Sequence, residues 1–214
     1  MKIVSVILAR GGSKGIPNKN IIDLNGEPMI SYVIKSSSAS KVHETWVSTD
    51  CSKIKKTSLS FGANVLDRPA SIADDFSKSE DALLHFANNV QFDILVFIQP
   101  TSPLLLSSDI DKGLDMITNT DSVYDSIFSA YRDHWIPKWD SNINPHNWDI
   151  NKRPMRQEKS YKFVENGAFY ITKRNHLINS KLRYSGNIGI SEMPNYRSFQ
   201  VDTLDDLKLI GKLL

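Results

Sequence analysis

The chain holds a single cysteine, Cys51, among 214 residues. No intrachain disulfide framework is possible, a Cys-rich zinc site is excluded, and a reducing cytoplasmic setting fits this usage. Neither sign of charge is in excess: 26 Lys and Arg stand against 24 Asp and Glu, a formal net charge of +2. Proteins that bind nucleic acid by bulk electrostatics normally show a clear basic excess, so no nucleic-acid partner is expected. Long apolar runs are missing as well. The opening MKIVSVILAR is apolar only from Ile3 to Ala9, and Arg10 stops it without a small-residue cleavage site, unlike a signal peptide. No stretch approaches the ~20 apolar residues of a membrane span, so no membrane association is expected. Both common glycine-rich nucleotide signatures are also absent. No Gly-Lys-Ser/Thr triplet occurs, which excludes G-x-x-x-x-G-K-[ST], and G-x-G-x-x-G is not found.

The patterns that are present alternate between two periods. IVSVILA is a short β-branched run, as in a strand buried on both faces, and PMISYVIKSSSAS carries Met29, Ile30, Val33 and Ile34 on one helical stripe. ETWVSTD reads as a second strand. SKIKKTSLSFG reads as a helix closed by Gly62. SKSEDALLHFANN opens with Ser77 and Glu80 at capping-box spacing, FDILVFIQP is the most apolar strand, and SSDIDKGLDMITN is another helix. FVENGAFYIT reads as a further strand, and RSFQVDTLDDLKLIGKLL as a strand whose Thr203 and Asp206 cap a last helix. Strands alternating with helices predict one Rossmann-like α/β domain over 1–214, a mostly parallel sheet with helices on both faces. Ligands bind such sheets beyond the carboxyl ends of the strands, where ARGGSKG, STD and QPTSP all fall. Residues 131–162 break the pattern, being rich in Trp, Pro, Asn and charge. Trp135, Trp139 and Trp148 suit a partner interface, or else the segment is an irregular arm folded on its own domain.

The stretch ARGGSKGIPNKN, residues 9–20, packs three glycines and three cations into twelve positions. Gly11 and Gly12 are expected to let the backbone approach a ligand closely and to adopt φ > 0. Backbone N–H groups of such a turn make an anion-binding concavity, to which Arg10, Lys14 and Lys19 add charge where a triphosphate would lie. The alternative is a solvated turn that happens to be basic.

The ordered blocks ILARGGSKGIPNKN, VSTD, DRPASIADDFSKS, QPTSPL, RQ at 156–157, ENGAFYI and VDTLDDL cover nearly the whole chain. Together they resemble the acylneuraminate cytidylyltransferase (CMP-sialic acid synthetase) family, nucleotidyltransferases that activate nine-carbon keto-acid sugars. The resemblance implies attack of a sugar hydroxyl on the α-phosphorus of CTP, giving CMP-sugar and pyrophosphate. It implies that Arg10, Lys14 and Lys19 are catalytic, holding the triphosphate and stabilising the departing charge. Ala9, Gly11, Gly12, Ser13, Asn20, Arg68 and Ser79 would bind the nucleotide, and Gln99, Arg156 and Asn166 the sugar. Mg2+ would sit on Asp202. The Trp-rich segment would be the arm that makes a homodimer and reaches the neighbouring subunit's site.

The chain departs from the family pattern in three places. Gln200 stands at the first position of the usual Asp-x-Asp, Leu105 follows QPTSPL where Arg is common, and Val164 precedes Asn166 where a basic residue is frequent. All three remove charge on the sugar and metal side, which points to an altered acceptor, a relative of neuraminic acid such as legionaminic or pseudaminic acid. Two other classes remain open. A nucleotide-sugar-dependent glycosyltransferase would use Asp-x-Asp, and DID at 109–111 fits those letters, although first-turn helix capping explains it too. A non-catalytic nucleotide-binding paralogue is the other.

Overall fold

The computed structural model describes residues 1–214 except Lys159, and the backbone alone at Arg156. β1 (Ile3–Leu8) starts the chain, followed by a small hairpin, β2 (Asp23–Leu24) and β3 (Glu27–Pro28), and helix α1 (Met29–Ser38). β4 (Glu44–Thr49), α2 (Ser52–Ser60), β5 (Asn64–Asp67), α3 (Ser79–Asn89), β6 (Ile94–Ile98) and α4 (Ser107–Thr118) complete the alternating half. The second half runs β7 (Ser126–Asp133), β8 (Lys162–Lys173), α5 (Arg174–Ser180), β9 (Ile188–Glu192) and α6 (Leu204–Gly211). Seven strands form one sheet in the order β5-β4-β1-β6-β8-β7-β9. All neighbours are parallel except β8, which runs antiparallel to both β6 and β7. The expected mostly parallel sheet is therefore present, with one reversed strand.

Alternation along the central strands fills two cores. Ile3, Ile7, Ile94, Val96 and Ile98 face the layer that contains α1, α2 and α4. Val4, Val6, Leu95 and Phe97 face the layer of α3 and α5, with Leu83, Phe86 and Leu177. Helices thus cover both faces, as the runs buried on two sides predict. A ten-residue helix is marginal by itself. In α1 the burial of Met29, Ile30, Val33 and Ile34, all 0% exposed, holds it at roughly 1.5–3 kcal/mol per side chain. α2 ends at Gly62 (φ 82°) in a Schellman motif, with Gly62 N–H on Leu59 O and Ala63 N–H on Ser58 O. Thr203 and Asp206 cap α6 reciprocally, at 3.2 and 2.8 Å.

Three expectations are corrected. α3 begins at Ser79, with the Asp81 carboxylate accepting from the Lys78 N–H at 3.1 Å, so Ser77 and Glu80 form no capping box. Ser77 is instead held by Asp74. RSFQVDT forms no strand. Its Val201 is buried and makes one backbone bond, to Thr101 O at 2.9 Å, after a 3-10 turn at Asn195–Arg197 that follows Pro194. Finally, β7 extends to Asp133 and β8 starts at Lys162, so the irregular segment between the strands is 134–161. Among its described residues lie two isolated bridges, Trp139 with Pro145 and Asp149 with Lys152, and a 3-10 turn at Arg156–Glu158.

Candidate active site

β1, β4 and β6 are parallel neighbours, so their carboxyl ends deliver Arg10, Asp50 and Gln99 to one edge of the sheet. A cleft of about 420 Å³ opens there, and Arg10, Ser13, Lys14, Lys19, Asn20, Ser79 and Gln99 line it over a floor of Leu8 and Phe97. A second hollow of about 170 Å³ shares Leu8, Arg10 and Ser79 and adds Arg68 and Ser77. Seven residues expected at a nucleotide or sugar site thus meet in one cleft, and Arg68 joins them through the adjoining hollow. The larger hollow, about 610 Å³, lies at the opposite ends of β1 and β6, against Met1 and Asp93, remote from these groups.

The loop after β1 carries the charge. Arg10 donates to Asp75 Oδ1 at 2.8 Å, Lys14 lies 2.7 Å from Asp75 Oδ2, and Lys19 donates to Asp202 Oδ1 at 3.1 Å. Those contacts from Lys14 and Arg10 hold the Asp75 carboxyl below its usual range. Asn20 is 5% exposed and donates from Nδ2 to Arg10 O at 3.0 Å, which pins the loop where it turns. Arg68 is buried, with Nε on Ser48 Oγ at 3.1 Å and Nη2 on Ser48 O at 2.6 Å. Burial pulls its guanidinium down to about 10, so it remains a cation at neutral pH.

The glycines differ from expectation. Neither Gly11 nor Gly12 has a positive φ. Gly11 is required by close approach, since a Cβ there would stand 2.9 Å from Cys51 Cβ, whereas Gly12 faces open space. The N–H of Gly11 donates to Asp50 Oδ1 at 2.9 Å, and that of Ala9 to Ser48 O at 3.0 Å. Ala9 itself is packed in the core and does not line the cleft.

Around Gln99 the structure is organised by amides. Gln99 reaches the cleft from the end of β6. Asn166 is 7% exposed and its side chain is committed internally: Oδ1 accepts from Ser129 Oγ at 2.6 Å and Ala168 N–H at 3.1 Å. Its Nδ2 donates to Ser198 Oγ at 2.9 Å and contacts Met193 Sδ at 3.3 Å. Gln200 accepts from Thr101 Oγ1 at 3.1 Å and donates to the Asn166 carbonyl. Gly167 (φ 70°) admits this packing, because a Cβ there would meet Gln200 Nε2 and, at 3.4 Å, Gln99 Oε1. Beneath the floor, Phe97 stacks on Tyr170 at 5.4 Å, and Arg183 lies over both rings while binding Glu80 through two nitrogens at 2.7 and 3.2 Å. This pair fixes the first turn of α3 and with it Ser79, a role that nothing in the local sequence signals.

Leu105 and Val164 do not border the cleft. Leu105 is 0% exposed in the main core, and Val164 lines a hollow of about 520 Å³ in the arm with His134, Trp135 and His146. Arg156 starts the 3-10 turn of the arm, and its side chain lies outside the described residues. The arm exposes Ile136, Trp139, Ile143 and Ile150, and Trp139 meets Trp148 edge to face at 5.2 Å. The DID triplet is structural. Asp109 is 5% exposed, caps α4 through the Leu106 N–H and pairs with Arg197 at 2.5 Å, while Asp111 accepts from Lys41 N–H. Among the described residues no group of three or more His, Cys, Asp or Glu could hold a metal, and no helix is long and apolar enough to cross a membrane.

Three cations line a cleft beyond the ends of parallel strands, the place where open α/β sheets bind ligands. The chain belongs to the cytidylyltransferase family, whose model matches residues 4–213. It is 38% identical over 209 residues to N-acylneuraminate cytidylyltransferase A of Danio rerio, across 94% of this chain and 48% of that protein. The chain therefore spans about half the length of that curated relative. It is 30% identical over 226 residues to Post-translational flagellin modification protein B of Campylobacter coli, across 100% and 95% of the two chains. Among solved structures, a CMP:2-keto-3-deoxy-manno-octonic acid synthetase complexed with CTP has the same fold, with a TM-score of 0.76 at 23% identity over 100% of this chain and 98% of that one.

Proposed function

We propose that this chain transfers CMP from CTP to the anomeric hydroxyl of a nine-carbon keto-acid sugar, releasing pyrophosphate. The observation that carries the reading is the gathering of Arg10, Lys14, Lys19, Asn20, Ser79 and Gln99 in one cleft of a family member. Phosphoryl transfer of this type depends on positioning and charge stabilisation more than on covalent protein chemistry. Arg10 supplies a planar fork and Lys14 and Lys19 supply point charges to the triphosphate, where they stabilise charge building on the leaving pyrophosphate. Arg68, Asn20 and Ser79 take the cytidine side, and Gln99 takes the sugar. Asn166 serves by shape, holding the backbone around Gly167 against Gln99.

One carboxylate suits a magnesium ion that arrives on phosphate oxygens rather than in an all-protein cage, and Asp202 would hold it. The bound ion would neutralise phosphate charge. Gln200 does not fit as a second ligand, because both ends of its amide are used within the protein. The arm would pair two copies through its exposed aromatic and aliphatic side chains, bringing Arg156 toward the partner's cleft. The test is to incubate the protein with CTP, Mg2+ and a panel of keto-acid sugars, including neuraminic, legionaminic and pseudaminic acids, and to identify products by mass. A CMP-sugar with stoichiometric pyrophosphate is expected; absence of both with every sugar refutes the reading.

A further inference from the structure

Each cation of the cleft is met by a carboxylate, but the two carboxylates differ in what a nucleotide would do to them. Asp202, on Lys19, is the residue read above as the metal's holder, so it keeps a role when phosphate and metal arrive. Asp75 has none. It engages Arg10 at 2.8 Å and Lys14 at 2.7 Å, the same donors a triphosphate needs, and a carboxylate left there would repel the phosphates. Its place in the chain makes withdrawal inexpensive. Asp74 closes the turn behind it, accepting from the Phe76 N–H at 3.0 Å, the Ser77 N–H at 2.7 Å and Ser77 Oγ at 2.6 Å. Asp74, Asp75 and Phe76 are all exposed, Phe76 at 93%, so the tip of the turn is not anchored in the core.

We propose that Asp75 is a built-in stand-in for phosphate, holding Arg10 and Lys14 in the nucleotide-free enzyme, yielding them to the triphosphate and reclaiming them as pyrophosphate leaves. The inference rests on the CTP reading above and deepens it. Asp75 pre-organises the two cations, competes with nucleotide for them, and assists product departure by offering a replacement anion. It is a positioning residue, since it acts through Arg10 and Lys14.

A residue that merely ordered the loop would weaken nucleotide binding when removed, whereas a competing anion would strengthen it. The experiment is calorimetric titration of CTP and, separately, of inorganic pyrophosphate into the wild-type protein and Asp75→Asn, with Asp75→Ser as a second variant and thermal melts confirming the fold. Two partly exposed ion pairs are worth a modest amount, so the variants should bind both ligands about three- to tenfold more tightly. In turnover they should show a lower kcat and stronger inhibition by pyrophosphate. Unchanged or weaker binding of pyrophosphate by both folded variants overturns the proposal. Wild-type protein that binds pyrophosphate but no CTP would overturn the nucleotide reading while leaving the role of Asp75 to be decided by the pyrophosphate titrations.

Discussion

At the edge of the cleft proposed for the nucleotide, Arg10, Lys14 and Lys19 each stand within 3.1 Å of a carboxylate on a different segment, and those carboxylates are partly or largely exposed. At the edge proposed for the acceptor, Gln200 donates to the Asn166 carbonyl and accepts from Thr101, while the Asn166 amide is spent on Ser129 and Ser198. The first edge is built of exchangeable charge, which a polyanion can take over at little cost because exposed ion pairs are weak. The second is built of committed amides, whose loss would leave buried groups unpaired. A substitution at the first edge should therefore change binding and rate while sparing the fold. One at the second should distort the acceptor's seat and leave CTP affinity alone.

Lys19→Ala presses hardest on this contrast. We expect kcat to fall by roughly 10²–10³, the scale of removing one transition-state charge contact, with an unchanged thermal melt. Steady-state pyrophosphate release together with calorimetry checks both halves. Gln200→Glu comes next: the carboxylate cannot donate to the Asn166 carbonyl, and the KM for the sugar should rise about tenfold while the Kd for CTP stays within a factor of two. Equal losses on both substrates would erase the distinction between the edges. A smaller effect is expected below the floor. Burial raises the Glu80 pKa, but hydrogen bonds from Arg183 and from its own N–H, with the charges of Arg183 and Lys78, leave the carboxyl lowered from 4.5. That stabilisation is complete above about pH 4.5 and is lost as pH falls through the depressed folded value. Glu80→Gln should thus cost about 1–2 kcal/mol at pH 7 by denaturant melts, and progressively less in more acidic buffer. Lys208→Ala, which removes a fully solvated contact with Asp205 on α6, should change neither stability nor turnover measurably.

The gathering of Arg10, Lys14, Lys19 and Asn20 in one cleft was legible in the sequence because it is local: one twelve-residue loop after a strand supplies all four, and the alternation of strands and helices places it. The reason for Gly11 was not legible. It depends on Cys51, forty residues away, approaching from the next strand's end. β5, β7 and β9 leave weaker traces. In β7 the buried face includes Ser126 and Ser129, hydroxyls that interrupt the apolar run yet are satisfied inside, by Ser185 O and by Asn166 with Phe169 O. Leu105 shows the opposite failure. A departure from a family pattern reads as lost sugar-site charge, but here the side chain turns into the core, where it contributes packing. Likewise, Val201 supplies a single buried anchor instead of a strand.

The most direct test of the proposed nucleotide edge is pyrophosphate release by the wild-type protein across the four nucleoside triphosphates, each crossed with several keto-acid sugars. The account predicts strong preference for CTP with every sugar that is accepted, and sugar-to-sugar variation confined to the acceptor's kinetic terms. Comparable release from UTP or the purine triphosphates, or none from CTP with any sugar, would contradict it.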